Sequence, residues 1–261
     1  MSQREQSISS GLTFGIYPLS VAGTPFGLAV GSQDNYDKIQ WVLRDLRGET
    51  KKLFPRNYLI YTKEWESKML LNADRYSEAG LLGDLTVGCG DWTNQQEPGI
   101  ELESWLTFIR KVINQYGSQL ASLQITNEPN LSFMEGSKPY ILQALVEGVI
   151  AAKKEAQENN LPIKIGFGSV PDGPMAVPDF WVNLSKLGGN TFIDCVDFVG
   201  HNFYVDVFEE QPLDIKEIST SVKRTLLNLR EKNLVTAGIP PQSLYGLQKM
   251  DGLRERTLLP I

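Results

Sequence analysis

Histidine is nearly missing from this chain: His201 stands alone among 261 residues. With no HExxH string and no Asp/Asn-rich calcium loop beside it, the sequence offers no ligand set for a metal ion, and none is expected. Cysteine is almost as scarce. Cys89 and Cys195 fall in separate predicted strands without a CxxC pair, so two buried thiols are expected rather than a disulfide. No run approaches the ~20 apolar residues of a membrane span, and the polar stretch from Met1 to Ser10 lacks a signal-peptide core, which together predict a cytoplasmic protein with no membrane partner. A Lys/Arg block is also lacking. With 25 basic against 31 acidic residues and a net charge of −6, the balance argues against nucleic acid and suits a neutral ligand. Gly166 and Gly168 complete no phosphate loop, so no cofactor is expected.

What the chain does have is a regular alternation of strand-like and helix-like periods, the pattern of a parallel sheet wrapped by helices. Strands are predicted at 12–17, 57–62, 85–88, 123–128, 163–168 and 196–204. Helices are predicted at 36–46, 64–71, 102–116, 139–159, 180–187 and 215–232. The helix over 102–116 has the clearest face, built from Leu102, Trp105, Leu106, Ile109, Ile113 and Tyr116. The expected fold class is α/β, a (β/α)8 barrel of TIM type that is incomplete, with about six βα units where a closed barrel needs eight. A single such barrel needs about 250 residues, which leaves no room for a second domain. Residues 1–241 carry the barrel pattern. Residues 242–261 show neither strand alternation nor a helical face and are read as an aberrant tail.

One stretch carries chemistry. Leu123-Gln-Ile-Thr-Asn-Glu-Pro-Asn130 is an apolar strand that delivers Asn127 and Glu128 to its carboxyl end, where Pro129 cannot continue a ladder and biases Glu128 toward an extended backbone. In an α/β barrel that end faces the catalytic mouth. Asn-Glu-Pro alone fits any turn; its place after a strand in an alternating series makes it a candidate site.

Ile125-Thr-Asn-Glu-Pro129 is similar to the strand-four motif of clan A glycoside hydrolases, and Asp197-Phe-Val-Gly-His-Asn-Phe-Tyr204 is similar to their strand-six segment. The resemblance spans roughly residues 11 to 241. It implies a (β/α)8 barrel that hydrolyses β-linked sugars with retention, with Glu128 as general acid/base and Asn127 on the sugar 2-hydroxyl. His201 and Tyr204 would line the sugar subsite, and Trp92, after the third strand, would offer a stacking face to a carbohydrate substrate. His201 has a plain alternative as a structural group, Trp92 as a hydrophobic plug, and Asp91 as a turn residue.

A retaining glycosidase needs a second carboxyl about 5–5.5 Å from the first. The resemblance puts it on a seventh strand of Thr-Glu-Asn-Gly-Trp type beyond Pro241, and the chain has no such string there. A messenger encoding Gln242 to Thr257 can, with permitted synonymous codons, be read in a shifted frame as IPLRITENGWPTGTN. The expectation is therefore a frameshift that removed the nucleophile and the last two strands. Glu64 after the second strand, Glu97 and Glu135 in loops, and Glu209 or Glu210 beyond the sixth strand are the other candidate carboxylates, and one of them at about 6.5–9.5 Å would allow inversion instead. A carbohydrate-binding or non-functional fragment is the competing expectation. Either way, an unclosed barrel bares two strand edges and is expected to self-associate.

Overall fold

The structure is a computed structural model that describes residues 14–19, 21–24, 27–30, 34–48, 53–90, 98–204, 214–240 and 244–249. Strand β1 (Phe14–Ile16) precedes an antiparallel pair, β2 (Val21–Thr24) and β3 (Gly27–Val30), which the sequence pattern does not announce. Helix α1 (Tyr36–Arg47) starts where the Asn35 side chain accepts the Lys38 N–H, as an N-cap residue does. Then β4 (Leu53–Tyr61), α2 (Glu66–Glu78), β5 (Asp84–Cys89), α3 (Pro98–Tyr116) and β6 (Ser122–Ile125) follow in order. The series continues with α4 (Ile141–Glu158), β7 (Lys164–Phe167), α5 (Phe180–Ile193), β8 (Phe198–Asn202) and α6 (Ile215–Asn228). A π turn over Leu229–Asn233 leads into α7 (Leu234–Ala237).

Strands β1, β4, β5, β6, β7 and β8 pair in that order and all in parallel, curling into part of a barrel with the helices outside. These are the six expected units. A further strand, β9 (Leu244–Lys249), runs parallel along β8, with Phe198 opposite Leu244 and Asn202 opposite Lys249. The tail pattern predicts no such strand. Ladder pairing is made by the backbone, and the open edge of β8 offers N–H and C=O groups to a segment whose side chains do not alternate.

The core lies between sheet and helices. Trp105, Phe108, Ile109 and Ile113 of α3 pack there against Leu59, Tyr61, Val87 and Leu123 of the strands. The Tyr61 and Phe108 rings stack at 4.7 Å, and the Trp105 indole donates to the Ala144 carbonyl at 3.0 Å, tying α3 to α4. Arg56 of β4 is buried and donates to Asp84 (2.6 Å), Thr86 (2.8 Å) and Gln124 (3.0 Å), tying β4 to β5 and β6. Cys89 is buried and Cys195 half-buried, both as thiols. Among the described residues no helix is long and apolar enough to cross a membrane.

Candidate active site

The site begins where β6 stops. Pro129 does not end the strand; the chain turns three residues earlier, at Thr126, whose φ of 63° is left-handed. That conformation is strained for a β-branched residue, and such strain concentrates at functional sites. Thr126 still donates its N–H to Val87 at 2.8 Å, and its hydroxyl donates to the Ile125 carbonyl at 2.6 Å. Its carbonyl is turned toward the Gln124 amide, which donates to it at 2.9 Å. The next two N–H groups leave the ladder. Asn127 and Glu128 donate to the Glu135 carboxylate at 2.5 and 2.9 Å, and Cys89 at the end of β5 donates to its other oxygen at 2.9 Å. Burial pushes the Glu135 carboxyl up to about 7, against the opposite pull of these three donors.

Two glycines permit this crowding. A Cβ on Gly88 would stand 3.0 Å from Glu135 Oε1, and one on Gly168 would stand 1.9 Å from the Asn127 carbonyl oxygen. The loops are stitched together above them. Asn130 donates to the Val170 carbonyl and accepts the Val170 N–H, both at 2.8 Å.

Glu128 is 6% exposed, at the carboxyl end of a strand in the middle of the sheet. From β8 the Asn202 amide donates to Glu128 Oε1 at 2.6 Å and lies 3.5 Å from Asn127 Oδ1. The side-chain Oδ1 of Asn202 is buried and accepts no hydrogen bond from the described groups. Asn127, Glu128 and Asn202 thus form one polar cluster on two strands. Asn202 lies inside the strand-six string but is missed when only His201 and Tyr204 are given roles. A polar residue at the carboxyl end of a barrel strand is the signal that finds it.

His201 is placed differently. It is 1% exposed, and its Nδ1 lies 2.8 Å from Ser169 Oγ. Since Ser169 gives its only hydroxyl proton to the Gly200 carbonyl (2.8 Å), the ring donates from Nδ1, and Nε2 is left as an acceptor. Burial lowers its pKa to about 4, opposed in part by Asp172, so the ring is neutral near pH 7. Tyr204 is half-buried at the end of the same segment. Trp92, Asp91, Glu97, Glu209 and Glu210 lie outside the described residues. Glu64 is exposed on the turn after β4, and Glu135 is engaged with three backbone amides. Among the described residues no three His, Cys, Asp or Glu side chains gather as a metal site would require.

No family model matches the chain, and no curated protein matches it. Solved structures do. One from a study of two fungal β-1,4-galactanases aligns with a TM-score of 0.51 at 14% identity, over 88% of this chain and 72% of that one. A β-1,3-glucanosyltransferase from Rhizomucor miehei gives 0.45 at 12% identity, over 90% and 70%. A family 1 β-glucosidase from Thermotoga maritima gives 0.46 at 15% identity, over 79% and 64%. In another structure of that β-glucosidase the chain spans only 54% of its length. At such identities the likeness is one of fold: the chain has the fold of a TIM-type barrel, present in part.

Proposed function

We propose that this chain carries the proton-donating half of a retaining β-glycosidase site, with a carbohydrate as its ligand. The observation that bears most weight is Glu128, enclosed at the carboxyl end of a central strand with one oxygen held by Asn202. A carboxyl group in that position can give a proton to a leaving glycosidic oxygen and later take one from water. Asn127, half-buried beside it, is suited to the sugar 2-hydroxyl, and Tyr204, His201 and Trp92 are the proposed subsite residues.

The partner carboxylate belongs to the shifted reading of the tail. There the Glu codon spans the last base of the Gln248 codon and the first two of the Lys249 codon. Lys249 is the backbone partner of Asn202, the residue that holds Glu128. The shifted reading would therefore bring its carboxylate onto the strand next to β8, at the level of the proton donor. The chain as written has Lys249 in that place, and we propose that it is inactive and self-associates through its open edges.

The test is to assay the expressed chain, and one with the frame restored, on aryl β-glycosides. Turnover only after restoration supports the proposal, and equal turnover in both contradicts it. Sequencing the coding DNA is the independent check, since a shifted frame that does not encode ITENGW removes the basis for restoration. In the active form, Glu128→Gln is expected to cost about 10²- to 10⁴-fold in kcat/KM with poor leaving groups and far less with activated ones, whose departure needs no proton. A uniform loss would assign Glu128 another role.

A further inference from the structure

In a continued parallel ladder the Cys89 N–H would reach the Thr126 carbonyl, because Val87 is paired with Ile125 and accepts from Thr126. The left-handed turn at Thr126 removes that carbonyl from the ladder and directs it to Gln124. Glu135 Oε1 takes the vacated place, at 2.9 Å from the Cys89 nitrogen. Its other oxygen gathers the N–H groups of Asn127 and Glu128. One carboxylate from the following loop thus fills a nest of three backbone donors on two strands.

We propose that Glu135 is a positioning residue: a half-buried carboxyl group that clamps the ends of β5 and β6 and so fixes where Asn127 and Glu128 stand. Its relevance to catalysis rests on the reading of Glu128 given above. The surroundings are shaped for it. Any side chain at Gly88 would crowd Oε1, and a Cβ on Gly136, the residue after the clamp, would stand 2.6 Å from the Leu131 carbonyl oxygen. Glu128 is the ionisable neighbour that acts on it, adding to its upward shift. Because two of the three donors belong to the very residues that form the polar cluster, a shift of this carboxylate moves the cluster itself.

The experiment uses the full chain labelled with nitrogen-15, following the amide protons of Cys89, Asn127 and Glu128 and the side-chain amide protons of Asn202 across neutrality. The three backbone amides are expected to move together with a single midpoint. In Glu135→Gln that common movement is lost, and exchange at Asn127 and Glu128 speeds up by about 10- to 100-fold, the worth of a hydrogen bond to a charged group. The Asn202 amide protons then shift toward free-amide positions as Glu128 moves away. Glu135→Asp, with charge kept and reach shortened, restores part of both effects. A purely structural side chain would leave the Asn202 protons in place. Separate midpoints for the three amides, or unchanged Asn202 protons in Glu135→Gln, overturn the proposal. Should that variant fail to fold, the titration of the unaltered chain and of Glu135→Asp decides. None of these readouts needs turnover, so a failed glycosidase assay would count against the reading of Glu128 while leaving the clamp to its own result.

Discussion

Thr126 concentrates the strain of the site in a single residue. A β-branched side chain in the left-handed region costs about 1–2 kcal/mol, and here the turn redirects the two N–H groups that follow. Gly168 is the complement of that turn on the neighbouring strand end, since only a residue without Cβ admits the Asn127 carbonyl so close. Gly168→Ala is therefore expected to destabilise the chain by about 3 kcal/mol, the upper end of an overpacked site. Urea denaturation measures it. A loss below about 0.5 kcal/mol, the range of a neutral surface change, would show that the two strand ends separate freely and that the close approach is incidental.

At the scale of elements, α3 is the member that joins sheet to helices. Phe108 is fully buried and stacks on Tyr61, whereas Trp41 of α1 is 62% exposed. Phe108→Ala is expected to cost about 3–5 kcal/mol, and Trp41→Ala about 0.5 kcal/mol or less; similar losses in thermal melts would contradict the placement of the core. This contrast also explains what the sequence discloses. Over 102–116 the apolar residues recur at helical spacing for several turns, so the buried face is legible, and so are the six expected barrel strands. Strand β9 is not legible, because Leu244–Lys249 is recruited by the backbone of β8 rather than by its own alternation. The place of Asn127 and Glu128 at a strand end is legible because an apolar run leads up to them. Glu135 is not, since its role depends on a left-handed turn nine residues earlier that no spacing rule predicts for a threonine.

For the molecule as a whole, two consequences follow from sheet edges unpaired among the described residues and from two titratable groups, buried His201 and half-buried Glu135, that pull in opposite directions. Among the described residues β1 and β9 end the sheet, each with one side unpaired, and exposed edges invite pairing between copies. Sedimentation of the expressed chain is expected to depend on concentration, and a stable monomer over a wide range would contradict the proposed self-association. The pH dependence of stability is a finer test. His201 falls from 6.5 to about 4 on folding, so between those values the unfolded chain binds a proton that the folded one refuses. Its contribution is fully present above 6.5 and is lost as pH drops toward 4, by up to about 3 kcal/mol. Glu135 rises from 4.5 to about 7, so over that interval the folded chain keeps a proton the unfolded one has released, and stability falls as pH increases. From 4.5 to 6.5 the two effects oppose each other and nearly cancel. Glu135→Gln removes one of them. Relative to the variant, the unaltered chain is expected to lose up to about 3 kcal/mol between pH 4.5 and 7, while the variant itself gains stability from pH 4 to 6.5 as His201 dictates. Urea midpoints measured across this range provide the check, and a difference curve that stays flat would mean that Glu135 is ionised throughout, held so by its three amide donors.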